Sequence, residues 1–130
     1  DDLTNMKTGI FGYKGRVHYQ AAECMNDFIA ALPADMPKND FFATVAQEID
    51  RRIYTNYRLY PGNFVAIDLL QGGNAYADRY TAEERATFET YLAGQLKKIE
   101  MPGKDEEFLR TKILEMYANP VKNYLIATEG

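Results

Sequence analysis

Apolar residues recur at helical spacing along most of this chain and alternate at a spacing of two only near its start. From Asn39 to Thr55, residues Phe42, Val45, Ile49 and Ile53 share one face of a 3.6-residue period, which predicts a helix capped by Asn39 or Asp40. The Pro61-Gly62 pair ends that element, and Asn63 is placed to cap a shorter helix over Phe64–Leu70, broken by Gly72-Gly73. Thr81-Ala-Glu-Glu84 has the form of a capping box. It opens a helix carrying Phe88, Tyr91, Leu92, Leu96 and Ile99, closed by Pro102-Gly103. Asp105–Ala118 repeats the pattern with Leu109, Ile113, Met116 and Tyr117. Asn119 and Pro120 then predict the cap and first turn of a last helix, Val121–Ala127. A further short helix is expected within Glu23–Leu32, before the Pro33 and Pro37 loop.

The first 22 residues follow a different rule. Gly9, Gly12 and Gly15 punctuate a polar stretch, and Arg16–Gln20 (RVHYQ) alternates polar with β-forming residues, as a strand does. Lys14-Gly15 fits a two-residue turn pairing this strand with Ile10–Tyr13. The predicted architecture is mainly α, four to five helices behind a short N-terminal strand or hairpin. Residues 1–22 form a β-containing edge and 23–130 a helical region of one domain. A lone hairpin is marginal in water, so this edge requires a sheet from a second copy or from a preceding segment. The start at Asp1-Asp2 strengthens the expectation that the sequence is a piece of a longer chain.

Composition narrows the class. The chain has 130 residues, 46% of them hydrophobic and 13% aromatic, enough for one self-sufficient core. Its net charge of −4 lacks the cationic excess that a nucleic-acid partner demands. One cysteine, Cys24, rules out an internal disulfide and a cysteine-based zinc cluster and fits a reducing cytoplasm. A packed thiol is the default reading of it. No apolar run nears the ~20 residues of a membrane span.

Candidate chemistry is sparse. His18 is the sole histidine, and Glu23 lies five positions on, an odd offset that sends the two side chains to opposite faces of a strand. Gly9, Gly12 and Gly15 lack the spacing of a phosphate-cradling loop. The acids at Glu83, Glu84, Asp105, Glu106 and Glu107 suit first helical turns. No cofactor, metal site or catalytic residue is expected. What remains is the stretch RRIYTNYRLYPGNF, where Arg51, Arg52 and Arg58 alternate with Tyr54, Tyr57 and Tyr60. Arg51, Arg52, Tyr57, Arg58 and Tyr60 are the candidate ligand-binding set, able to offer cations and stacking faces to an anionic headgroup. In the structural alternative, the tyrosines seal a helical corner with hydroxyls outward and the arginines cover its rim. Asn56, Asn63 and Asp68 are then polar groups that must find partners within that corner.

Two segments carry a family resemblance. Gly15-Arg-Val-His-Tyr-Gln20 resembles the late G-K/R-V-H strand of the glycerolphosphate acyltransferase superfamily. Asn56-Tyr-Arg-Leu-Tyr-Pro-Gly-Asn-Phe-Val-Ala-Ile-Asp-Leu-Leu70 is similar to the N-Y-K-L-aromatic-P-x-N segment of one of its bacterial subgroups. Together they span about Asp1 to Leu70. The resemblance implies the C-terminal region of a lysophospholipid acyltransferase-like protein of phospholipid biosynthesis, a fragment of an α/β fold. It implies a missing N-terminal catalytic domain as partner, and acyl-CoA or acyl carrier protein and a lysophospholipid as the parent's substrates. It also implies a cytoplasmic setting, peripheral to the inner membrane through the parent. The family's H-x4-D motif is absent: His18-x4-Glu23 ends in Glu, and the strand continues into Ala21-Ala22 instead of Gly-x-Pro-Ile. The role implied for the chain is therefore a non-catalytic cap. The alternative is a freestanding helical interaction module that uses its tyrosine-rich corner.

Overall fold

In the computed structural model, which describes residues 1–129, six α-helices follow one another, and none of the described residues lies in a strand. They are α1 (Asp2–Phe11), α2 (Asn26–Ala30), α3 (Lys38–Asn56), α4 (Pro61–Gln71), α5 (Ala82–Lys98) and α6 (Glu106–Glu129), with a 3₁₀ turn at Ala77–Arg79. The mainly-α expectation holds.

The core forms around α4. Phe64, Val65, Ala66, Ile67 and Asp68 are five consecutive buried residues, so this helix is enclosed on all sides rather than on one stripe. It packs on α6, α5 and the 3₁₀ turn, while α3 and α5 also lean on α6. Phe88 and Leu92 reach the core from α5, and Leu114, Ala118 and Val121 from α6. Ala66 and Ala118 are both fully buried; such small side chains let helices approach closely.

Helix ends account for the boundaries. At α5, Thr81 Oγ1 accepts from Glu84 N at 3.1 Å and Glu84 Oε2 from Thr81 N at 2.8 Å, the expected reciprocal cap. Gly72 closes α4 at φ 67°, its N–H donating to the Asp68 carbonyl. Asp105 Oδ1 caps α6 through Phe108 N at 2.9 Å.

The N-terminal strand and hairpin are corrected, and with them the α/β assignment and the β character of residues 1–22. The opening residues form α1, capped by Asp1, whose Oδ1 accepts from Leu3 N at 3.1 Å. Arg16–Gln20 is exposed and lies in no strand. A strand's backbone groups need an adjacent edge, and the described residues supply none.

The other corrections are local. Neither Asn39 nor Asp40 caps α3; the helix begins at Lys38, with the Pro37 carbonyl accepting from Phe41 N at 2.9 Å. Its Phe42, Ile49 and Ile53 face outward, and it has no buried residue. α4 starts at Pro61, where the missing N–H of proline costs nothing, so Asn63 falls inside its first turn. α5 ends at Lys98, before Pro102-Gly103. The two predicted C-terminal helices are one, with Pro120 inside α6. Proline there removes a donor to the Met116 carbonyl, but buried Ala118 and Val121 hold both halves against the core. Met116, predicted to belong to the apolar stripe, is exposed, and Leu114 is buried in its stead.

Candidate functional site

The corner between α3 and α4 is built from the segment that drew notice in the sequence. α3 ends at Asn56, and Tyr57 turns extended with φ −74° and ψ 151°. Tyr60, also extended, precedes Pro61. Asn63 locks the turn: its Oδ1 accepts from Tyr60 N at 2.8 Å, and its Nδ2 donates to the Tyr117 carbonyl of α6 at 2.9 Å. The Tyr57 hydroxyl donates to the Pro120 carbonyl. Two side chains of the corner thus engage α6 carbonyls around its internal proline. The Tyr57 hydroxyl points inward, contrary to the outward arrangement expected. Asn56 Nδ2 returns to the Arg52 carbonyl at 2.8 Å.

Asp68 is fully buried on α4. Its carboxyl group accepts from Tyr76 N at 3.1 and 3.2 Å, and from the Tyr80 hydroxyl at 2.7 Å. The Tyr80 phenol is pushed up from its ordinary pKa, first by that hydrogen bond and then by burial. Asp68 therefore ties the 3₁₀ turn to α4.

The candidate cations are largely engaged. Arg51 Nε and Nη2 both meet Glu48 at 2.7 Å, and Arg52 Nε meets it at 2.7 Å. Hydrogen bonds from Arg51, and then Arg52, pull Glu48 down to about 2. Arg52 Nη1 also donates to the carbonyls of Glu23 at 2.6 Å and Cys24 at 3.2 Å, fastening the N-terminal arm to α3. The Arg58 guanidinium lies 5.6 Å from the Tyr60 ring centroid.

These residues line three recesses, of which the first two adjoin and share Arg52 and Asn56. Arg52 and Tyr57 share one of about 410 Å³ with His18, Tyr19, Ile49 and Ile53, between the arm and α3. Arg51 and Arg52 together border a polar one with Gln20, Thr55 and Asn56. Tyr60 lines a groove of about 510 Å³ with Gly62, Phe88 and Tyr91, which Glu83 and Glu84 edge on one side. His18 and Glu23 border the first recess and are both exposed. Cys24 is an exposed free thiol, not a packed one. Among the described residues, no three His, Cys, Asp or Glu side chains gather as a metal site.

A further recess that Tyr60 lines with Phe88, Tyr91 and Tyr117 holds what sequence reading missed. The Tyr91 and Tyr117 hydroxyls are hydrogen-bonded at 2.7 Å. Tyr117 packs edge-on against Phe88 at 5.3 Å and Tyr91 at 5.9 Å. Burial, and next the Tyr91 hydroxyl, push the Tyr117 phenol up to about 12. Each tyrosine lies on its own helix's apolar stripe, but nothing in either stripe indicates that the two meet.

No helix among the described residues is long and apolar enough to cross a membrane. Comparison of the chain with protein-family models, with curated proteins and with solved structures finds no match in any of the three.

Proposed function

We propose that this chain is the non-catalytic helical region of a lysophospholipid acyltransferase-like protein, which caps the catalytic domain of its parent. The observation that carries this reading is the state of Arg16–Gln20. Its alternating side chains are those of a strand, yet it lies exposed and in no strand, with Val17 and Tyr19 in water. Such a segment is ready to add to the edge of a sheet supplied by another domain, with main-chain hydrogen bonds giving affinity and alternate side chains giving specificity. The resemblance names the domain: an α/β acyltransferase core carrying the H-x4-D base, with acyl-CoA or acyl carrier protein as donor and a lysophospholipid as acceptor. That core would bring the parent, and this chain with it, to the cytoplasmic surface of the inner membrane. The corner residues support a capping role, because Tyr57, Asn63 and Asp68 spend their polar groups on holding helices together.

The test compares this chain with its upstream-extended reading frame. The chain alone should release no CoA from acyl-CoA plus lysophosphatidate. The extended protein should do so, and Val17→Asp should lower its activity without unfolding α3–α6. Release by the short chain, abolished by His18→Ala, refutes the reading, as does an upstream frame with no H-x4-D.

A second reading, a freestanding interaction module, draws on the groove beneath Tyr60. Its aromatic floor and acidic edge suit a basic, aromatic peptide. Binding of such a peptide, lost in Tyr60→Ala, would favour it.

A further inference from the structure

The groove under Tyr60 has an aromatic floor and an acidic edge, and the chain itself brings a cation to it. Arg16 lines that groove together with Tyr60, Phe88, Tyr91 and the Glu83 and Glu84 carboxylates. The three residues before it, Tyr13, Lys14 and Gly15, border the adjoining recess, which also includes Tyr60, Phe88 and Tyr91. Residues 13–16 therefore pass along one aromatic face, with the acidic first turn of α5 at its rim.

Other contacts set both ends of this segment. Downstream, Arg52 Nη1 holds the Glu23 and Cys24 carbonyls at α3. Upstream, Lys14 Nζ donates to the Thr8 and Gly9 carbonyls at the end of α1, so its charge is spent there. Gly15 lies between them at φ 69°, a left-handed turn that glycine makes without strain. Arg16 and Glu83 are both exposed, and neither forms an ion pair among the described residues. Glu84 keeps its charge while one oxygen caps Thr81 N.

We infer that Tyr13–Arg16 is a strap poised to close over this aromatic face, latched by Arg16 reaching across the groove to Glu83 and Glu84. Arginine meets both demands of the groove, because its planar guanidinium stacks on a ring and forks onto a carboxylate. The opposed charges are of the right sign on each wall: the arm is basic and the α5 rim acidic. Closing the strap covers the rings of Tyr60 and Tyr91, and opening it frees Arg16. Arg16 also begins the segment proposed to join a sheet edge, so latching and sheet addition exclude each other. That last consequence rests on the acyltransferase reading; the latch does not, since both of its halves lie in this chain.

A nitroxide on the full chain tests it, attached through Tyr13→Cys in a Cys24→Ser background. Tyr13 is 96% exposed, so the label displaces no packed group. The Gly62, Thr87 and Tyr91 amide resonances should be broadened by the label. Arg16→Gln should lower the ratio of closed to open strap by roughly two- to fivefold, the range of an exposed ion pair. Salt at about 1 M, where the Debye length is about 3 Å, should do the same. Arg16→Glu with Glu83→Arg should restore the broadening, and Arg16→Lys should restore only part of it. Circular dichroism should be unchanged throughout, because both substituted positions are exposed. Broadening that is the same in Arg16→Gln and at high salt overturns the inference, as does a label that leaves those three amides sharp. Each reading is taken without added ligand, so its failure is separate from that of either functional reading.

Discussion

Removing the Asp68 carboxyl group tests whether the middle of this fold is held by one buried polar node. Its oxygens receive the Tyr76 amide and the Tyr80 hydroxyl, and no water-exposed surface of Asp68 remains. Asp68→Ala leaves the Tyr76 N–H without its acceptor, a penalty of about 1–3 kcal/mol, and discards the Tyr80 bond, about 1 kcal/mol more. Alanine's better helix propensity returns about 0.5 kcal/mol. The expected net loss is about 1.5–3.5 kcal/mol, on the order of 10 °C in Tm for a chain of this size. Tyr80→Phe alone should cost about 1 kcal/mol, since the half-buried ring stays in place. In a double-mutant cycle the pair should couple by about 1 kcal/mol, because the second change has little left to break. Urea unfolding followed by far-ultraviolet circular dichroism measures each value, provided the denaturant slope is unchanged. An Asp68→Ala protein within about 0.5 kcal/mol of the parent would show that burial here does not require the hydrogen bonds.

Three further outcomes follow from the same geometry. Glu48 is held down from its ordinary 4.5 to about 2, so its contribution to stability is present above pH 4.5 and is lost as pH falls toward 2; Glu48→Gln should flatten that part of an acid-unfolding curve. Tyr117 is raised to about 12, so the unfolded chain gives up this proton first, and stability should fall as pH rises from about 10 to 12. Tyr91→Phe should bring the last phenol seen in an ultraviolet titration down, yet not to an ordinary value, since burial is the larger cause. Gly62→Ala places a Cβ 3.1 Å from Phe88 Cδ2. The Phe88 ring cannot retreat, being packed against Tyr117, so the change should cost about 1 kcal/mol or more in urea unfolding, and Phe88→Leu should relieve part of that cost.

Local chemistry was legible wherever a short motif decides the outcome. Thr81 with Glu84 announced the start of α5, and Pro61-Gly62 announced the corner, because capping and proline geometry act within four residues. Prediction failed where the deciding partner is remote. Arg16–Gln20 has strand periodicity, but a strand exists only with a neighbour. Pro120 reads as a helix boundary, yet Leu114 and Ala118 before it and Val121 after it are all buried in the core and keep the two halves in line. The outward stripe of α3 was visible as apolar spacing, while its exposure depends on what else is present to cover it. At the site, Arg51 and Arg52 read as free cations from the Arg-Tyr spacing alone, while Glu48, three and four residues earlier on the same helix, is the partner of both. The Tyr91–Tyr117 pair joins two helices 26 positions apart and leaves no trace in either one.

The tyrosine-rich corner can serve a ligand only with what its structural duties leave free. Tyr57 gives its hydroxyl to the Pro120 carbonyl, and Asn63 bridges Tyr60 to Tyr117. Arg52 holds the arm's carbonyls as well as Glu48. Arg58 and Tyr60 remain, a guanidinium set over a ring, and Tyr60 shares a recess with Phe88, Tyr91 and Tyr117. An anion brought to Arg51 and Arg52 would have to compete with a carboxylate that both already grip at 2.7 Å. A ligand at Tyr60 would meet aromatic surface and the Glu83 and Glu84 carboxylates. The electrostatics of the corner therefore favour a cationic or aromatic group at Tyr60 over a phosphate at the arginines. The residues from Asn56 to Leu70 make the turn, and the helix they open is the one around which the others pack.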